Sequence, residues 1–289
     1  MTRIAIIGIG RLGRCLAQAL AGQGEAVVAL ASRSEQVAAD LAARLPGCTA
    51  MAAPDAVAAA ELVLLTVPDD ALEPLAETLP WRAGQAVVHC SGATELTALN
   101  AAAQAGAQIG GFHPLQIFSD PASAVQLLAG STVAIEAAPP LLDELRRLAS
   151  LLGMRPMHLP PGTRAAYHAA ASFSASFLLS MLDESMRIWA AVGLAEEDAL
   201  QALLPLARGT LQAAGARGLP GALAGPISRG DAGVVAAHLH ALGRLGGGHG
   251  GFYRVLSLRQ LRLARTSGRV SEAALQHMEA LLRLDAFDV

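Results

Sequence analysis

Short apolar runs recur at regular intervals through the first half of the chain. Ile4-Ala5-Ile6-Ile7, residues 26–31, residues 62–67, Ala86-Val87-Val88-His89, and residues 107–112, 131–136 and 154–159 each read as a strand. The more continuous of these runs have the pattern of strands buried on both faces. Between them, residues 12–20, 35–45, 94–103 and 139–152 carry apolar positions at helical spacing. Alternating strands and helices predict a mostly parallel sheet. After Pro160-Pro161-Gly162 the strands stop. Residues 163–192, 196–211, 231–242, 252–264 and 271–284 read as helices, with a Gly/Pro-rich stretch at 215–229 and a flexible glycine run at 246–251. The expectation is an α/β nucleotide-binding domain over residues 1–160, followed by an all-α domain over residues 161–289.

The first strand runs into Gly8-Ile9-Gly10-Arg11-Leu12-Gly13, a G-x-G-x-x-G turn that opens a helix. That context suits a dinucleotide pyrophosphate. Gly8 allows the tight turn, Gly10 the approach of a phosphate, and Gly13 close packing of helix on strand. The helix N-terminus adds free N–H groups and partial positive charge. The second strand ends in Ala31-Ser32-Arg33-Ser34 without the carboxylate that grips the ribose hydroxyls of NAD. Arg33, with Ser32 and Ser34, suits a 2′-phosphate, so the expected cofactor is NADP(H). Thr66, Val67 and Pro68, at the carboxyl end of their strand, are expected to flank the nicotinamide. Asp69 and Asp70 read as helix-start residues.

Composition narrows the chemistry. The 289 residues are 53% hydrophobic and 16% charged, with net charge −3, so a sizeable core is expected and nothing favours nucleic acid. No run reads as a membrane span. The first strand begins at the start of the chain, leaving no signal peptide, and Cys15, Cys48 and Cys90 lack metal-ligand spacing. The expected setting is the reducing cytoplasm, with no metal. Cys90 reads as a small buried hydrophobe. All 21 basic residues are arginine, so lysine acid catalysis and a lysine Schiff base are excluded and a proton donor is sought among histidines. Ser91 and His113 follow successive strands on the side where a ligand sits, and both can reach a substrate oxygen. Arg164 and His168, four residues apart, share one face of the next helix. Arg164 and Arg229 are candidate carboxylate clamps, and Asp231 is either a substrate contact or a helix cap paired with Arg229. His238 and His240 read as structural and His249 as an exposed loop residue.

A nucleotide-binding sheet followed by a helical domain resembles the superfamily of 6-phosphogluconate dehydrogenase, ketopantoate reductase and pyrroline-5-carboxylate reductase. His89-Cys90-Ser91-Gly92, Gly111-Phe112-His113-Pro114-Leu115-Gln116, Tyr167-His168-Ala169-Ala170-Ala171 and Gly225-Pro226-Ile227-Ser228-Arg229-Gly230-Asp231 are most similar to a bacterial group of Rossmann-like NADP oxidoreductases whose helical half is a domain of unknown function. Several superfamily members carry a Lys and, four residues on, an Asn where this chain has Arg164 and His168. Arg cannot donate a proton at neutral pH. Ser91 and His113-Pro114 resemble the substrate-contacting motifs of prephenate dehydrogenases. The resemblance implies hydride transfer to or from a small carbonyl or hydroxyl compound, expected to be a ketopantoate-like carboxylate, with His113 or His168 as acid/base. Prephenate-type oxidation and a non-catalytic NADP(H) sensor remain alternatives. The apolar helices of the second half predict a homodimer.

Overall fold

The computed structural model describes residues 1–118 and 121–283. The first compact unit is Met1–Ala175. It runs β1 (Ile4–Ile7), α1 (Arg11–Gly22), β2 (Val27–Ala31), α2 (Glu35–Ala42), β3 (Thr49–Ala50), α3 (Ala53–Ala59), β4 (Leu62–Leu65) and α4 (Asp69–Thr78). Then follow β5 (Ala86–His89), α5 (Asn100–Gln104), β6 (Gln108–Leu115), α6 (Pro121–Leu128), β7 (Thr132–Ala137), α7 (Leu141–Leu151), β8 (Arg155–His158) and α8 (Arg164–Ser174). The strands form one sheet in the order β3-β2-β1-β4-β5-β6-β7-β8. Every neighbouring pair is parallel except β6–β7.

The side-chain alternation of a strand feeds two cores. Ile4 and Ile6 of β1 pack with Leu16 and Leu20 of α1 and with Leu145 and Leu148 of α7. Ala5 and Ile7 point to the opposite face, with Val57 of α3 and Leu72 and Ala76 of α4. Burial on both faces is why the central strands read as unbroken apolar runs. The strand order reverses beside β1, which opens a crevice at the carboxyl ends of β1 and β4, where a ligand sits in such sheets.

Several elements depart from the expectation. β3 and α3 were not legible, because one strand has two residues and the helix seven, too short for periodicity. Residues 96–99 form a 3-10 turn before α5 rather than one helix over 94–103. β6 continues through His113 and Pro114 to Leu115, held by antiparallel pairing with β7. The helix expected over 163–192 breaks at Ala175 (φ −118°, ψ −91°). The run Arg164–Ala191 is long and apolar enough, by length and composition, to cross a membrane, which the sequence reading missed. That run is broken at Ala175, and Arg164 at its start is buried in the first unit.

The second unit, Ser176–Val289, is helical over its described residues. It comprises α9 (Ser176–Ala191), α10 (Glu196–Ala222), α11 (Pro226–Arg229), α12 (Ala232–Leu245), α13 (His249–Ser267) and α14 (Glu272–Arg283). Residue 284, the end of the last expected helix, lies outside the described residues. The core is Ile227, Val235, Leu239, Leu261, Leu275, Met278 and Leu282. Leu179, Leu206, Leu211 and Leu219 remain exposed. α10 runs through most of the Gly/Pro-rich stretch, kinked at Gly218 (φ 68°). The glycine run is shorter than expected, because α13 already starts at His249. His249 is not an exposed loop residue: its Nδ1 lies 2.7 Å from Glu184 Oε1 of α9, and its side chain is only 11% exposed.

Candidate functional site

The glycine turn is held from beneath. Gly8 has φ +103°, a left-handed conformation that disfavours any side chain, and a Cβ there would meet Thr66 and Val67 at 2.8 Å. A Cβ on Gly13 would strike the Gly8 carbonyl and the Thr66 hydroxyl. That hydroxyl donates to Gly8 O at 2.5 Å, tying the end of β4 to the turn. Thr66 is therefore a strut under the cradle, and Val67 packs beside it. Gly10 faces open space, and no side chain caps α1. The first-turn N–H groups, between exposed Gly10 and Arg11, are thus open to an anion. This backbone cradle fits a pyrophosphate.

At the carboxyl end of β2, Ser32 Oγ accepts from Ser34 N at 3.3 Å and shapes the turn. Arg33 is exposed and pairs with no acid among the described residues. No Asp or Glu follows β2 before Glu35, so the position fits a 2′-phosphate.

Beside the cradle lies a cavity of about 240 Å³. Leu12, Val67 and Phe118 give it apolar walls, and Asp69, His113 and His168 give it chemistry. β6 carries His113 into it because the strand outruns β5, whose last paired residue, His89, lies opposite Gly111. α8 supplies the facing side. Arg164, Tyr167 and His168 stand at i, i+3 and i+4 and share one helix face at different depths. Tyr167 Oη lies 2.9 Å from His113 Nδ1. The ring centroids of His113 and His168 are 5.8 Å apart, edge to face. Gly92 makes the approach possible: a Cβ there would lie 2.8 Å from His113 Nε2 and 2.5 Å from His168 Nδ1.

Burial, then the neighbouring His168 and Arg164, pushes His113 down to about 4, while Asp69 opposes the shift. His113 is therefore neutral near pH 7. Burial also raises the Tyr167 hydroxyl, with Arg164 opposing. Behind the cavity His89 is fully buried with neither ring nitrogen partnered among the described residues. Burial and then the Arg164 charge bring it down to about 3. Cys90 is buried and its thiol is pushed up to about 12, as suits an inert core cysteine.

Arg164 corrects the expectation of a substrate clamp. Its side chain is 0% exposed, its Nε donates to Glu136 Oε2 at 2.7 Å, and its Nη1 donates to the Ser91 carbonyl at 2.9 Å. A Cβ on Gly111 would occupy the guanidinium's place. Glu95 completes the anchor by accepting from the backbone N–H groups of Gly162 and Arg164. Arg164 thus fastens α8 to the loop after β5 and to β7, and it cannot reach a carboxylate in the cavity. Ser91 is also differently engaged. Its Oγ accepts from Ala93 N and Thr94 N and bonds to Thr94 Oγ1 at 3.0 Å, which shapes the turn. Glu136 and Glu95 were not singled out from sequence, and Tyr167, Gly92 and Gly111 stood only within the quoted motifs, with no role given to them. Only Tyr167 left a local signal, its hydroxyl one turn from Arg164.

Arg229 and Asp231 lie in the second unit. Asp231 caps α12 by accepting from Val234 N at 3.1 Å, and Arg229 is exposed and not paired with it. His238 Nδ1 lies 2.9 Å from Tyr253 Oη.

The chain is similar to known proteins along most of its length. Residues 1–114 match the Rossmann-like domain, and residues 131–260 match a domain of unknown function, DUF2520. No curated protein matches the sequence. The crystal structure of protein TM1727 from Thermotoga maritima superposes with TM-score 0.76 at 22% identity, over 92% of this chain and all of that one (100%). The putative NADP oxidoreductase BF3122 of Bacteroides fragilis is 25% identical with TM-score 0.70, over 93% of this chain and 98% of that one. A reductive aminase of Aspergillus terreus in complex with NADPH and ethyl levulinate is 17% identical with TM-score 0.62, over 98% and 92% of the two chains. The chain thus joins an N-terminal Rossmann-like domain to a DUF2520 domain in one polypeptide.

Proposed function

We propose that this protein is an NADP(H)-dependent oxidoreductase acting on a small carbonyl-type compound. The observation that carries the reading is the side-chain-free cradle at Gly8, Gly10 and Gly13, opening beside a cavity that holds His113 and His168. The solved structures named a putative NADP oxidoreductase and an NADPH-bound reductive aminase, which share this fold, support it. Backbone N–H groups of Arg11, Leu12 and Gly13 would hold the pyrophosphate, and Ser32, Arg33 and Ser34 the 2′-phosphate. Bound nicotinamide supplies or accepts the hydride.

The chain's own residues orient the substrate and manage the proton. His113, held neutral, accepts a proton from a substrate hydroxyl or holds a substrate oxygen through its N–H. It does not serve as an imidazolium donor near pH 7. Tyr167 at Nδ1 directs the other ring nitrogen, Nε2, towards Gly92 and the cavity. His168, exposed at the other end of the cluster, connects the site to solvent. The exposed leucines of the second unit favour a homodimer, and a light-scattering mass near that of one 29.5 kDa chain would remove that part.

Fluorescence titration with NADPH and NADH tests the reading. NADPH should bind more tightly, and Arg33→Ala should weaken it about 10-fold or more while leaving NADH unchanged, as expected for loss of a charge-assisted phosphate contact. Equal affinity for the two cofactors refutes the 2′-phosphate site, and binding of neither refutes the enzyme. His113→Asn should lower turnover by roughly 10²–10⁴-fold with NADPH affinity intact. Unchanged turnover would remove His113 from the chemistry. Cofactor binding without turnover of any carbonyl or imine would favour the sensor alternative.

A further inference from the structure

We propose that the reacting carbonyl oxygen of the substrate binds between two imidazoles, at His113 Nε2 and His168 Nδ1 beside Gly92, and that His168 is the acid that protonates it. This assignment rests on the oxidoreductase reading and fixes where the oxygen sits in the same site.

Gly92 sets the geometry. His113 Nε2 and His168 Nδ1 lie 2.8 Å and 2.5 Å from the point that a Cβ on Gly92 would take. Two nitrogens that close to one point are no further apart than two hydrogen-bond lengths. They come from separate elements, β6 and α8, and both residues line the same cavity. One oxygen atom on the cavity side therefore reaches both. Tyr167 selects which nitrogen of His113 carries the proton. Burial keeps its hydroxyl protonated, and that hydroxyl lies 2.9 Å from Nδ1, so it donates there and leaves the proton on Nε2. His113 is then a neutral N–H donor aimed at the oxygen.

Charge suits an oxygen that turns negative. After burial, His168 and then Arg164 act against a proton on His113, and Asp69, which acts the other way, is weaker than either. Gly111 and His113 face the same side of β6, and the Arg164 guanidinium stands where a Gly111 side chain would. Its Nη2 has no partner among the described residues, so Glu136 and the Ser91 carbonyl do not use all of its donors. Fixed positive charge beside the reacting oxygen favours a developing alkoxide.

The proton balance closes. The carbonyl carbon gains a C–H bond with the hydride of NADPH, the C=O π pair withdraws onto oxygen, and that oxygen takes the Nδ1 proton of His168. An alcohol and NADP⁺ remain. His168 is exposed, so water returns its proton. His113 stays neutral throughout and gives only a hydrogen bond. The ionisable side chains among the described lining residues are Asp69, Cys90, His113 and His168, and the chain has no lysine. Of these four, His168 is the histidine left open to solvent, and Cys90 is buried with its proton held.

Binding and turnover test this separately. Cyclopentanol and cyclopentylammonium share a ring and differ in the polar atom. Each is titrated into the NADP⁺-bound protein while the ring-nitrogen NMR signals of the histidines are followed. Cyclopentanol should move the signals of both His113 and His168, leave His238 unmoved, and bind about 10-fold more tightly than the ammonium, which meets like charge. Gly92→Ala should abolish the joint response, because its methyl group takes the place where the two nitrogens converge. In the reduction of cyclopentanone by NADPH, His168→Ala should lower turnover roughly 10²–10⁴-fold with NADPH affinity kept, and imidazole in the buffer should restore part of it. A merely structural role would show no such rescue. His168 lies on an exposed helix surface, so this variant decides the matter even if Gly92→Ala does not fold. A response at only one histidine, tighter binding of the ammonium, or a loss that imidazole does not restore overturns the assignment while leaving the oxidoreductase intact. NADPH binding without reduction of cyclopentanone overturns it as well. Failure to bind NADPH overturns both.

Discussion

Replacing Arg164 with alanine is expected to destabilise the N-terminal unit by about 3–5 kcal/mol, the range for breaking a buried ion pair from one side. The guanidinium is fully buried, and its removal leaves Glu136, only 5% exposed, without its cation. The Ser91 carbonyl loses a donor at the same time, and a cavity opens against Gly111. Arg164→Lys should recover little, because a point-charge ammonium cannot serve Glu136 and Ser91 together as a planar fork does. The double variant Arg164→Met, Glu136→Met removes the uncompensated charge and should recover much of the loss. Urea midpoints of the single and double variants measure this. A single-variant loss below about 1 kcal/mol would mean that the pair is solvated, since exposed pairs contribute no more than that. The double variant should also fall in activity despite its recovered stability, because the loop bearing Ser91 and Gly92 is no longer tied to α8. That split would identify Arg164 as a positioning residue.

Acid should unfold this protein unusually early. His89 and His113 are held down to about 3 and about 4, in both cases chiefly by burial. The Arg164 charge adds to the effect on each, and His113 and His168 repel a proton on their respective neighbours. The unfolded chain protonates both near the ordinary value of about 6.5. Below that pH the unfolded state binds more protons than the folded one, so stability is complete above about 6.5 and falls as the pH is lowered towards 4. Each histidine contributes a slope of roughly 1.4 kcal/mol per pH unit, and the two together contribute about 3. Urea midpoints measured at pH 7, 6 and 5 should drop accordingly. His89→Leu should roughly halve the slope, because it removes one titrating group and the burial of two ring nitrogens that have no partner among the described residues. A midpoint constant from pH 7 to 5 would show that neither histidine is buried neutral.

Much of the cofactor cradle was legible without coordinates. Gly8, Gly10 and Gly13 follow a buried strand and open a helix, and each requirement there is local: a positive φ, an open approach and a close packing. His113 was legible as a residue beyond a strand end, although the strand runs further than expected because β7, antiparallel to it, supplies partners for residues 112–115. His168 was legible through its helical spacing from Arg164. The burial of that arginine was not, because its partner Glu136 is on β7 and nothing local marks a carboxylate 28 residues away as its counter-ion.

The amino-acid sequence by itself determined the alternation of strands and helices, the glycine turn, the missing acid after β2 and the absence of lysine. These are properties of neighbouring residues or of composition, and backbone sterics and hydrophobic periodicity act at that range. Tertiary structure alone decided which polar residues face the cavity and which are consumed in holding it. Arg164 and the Ser91 hydroxyl passed from candidate chemistry to scaffold, while Asp69 and Tyr167 entered the site. Burial and charge neutralisation depend on what the fold brings within a few ångströms, and that distance is not written in the spacing of residues along the chain.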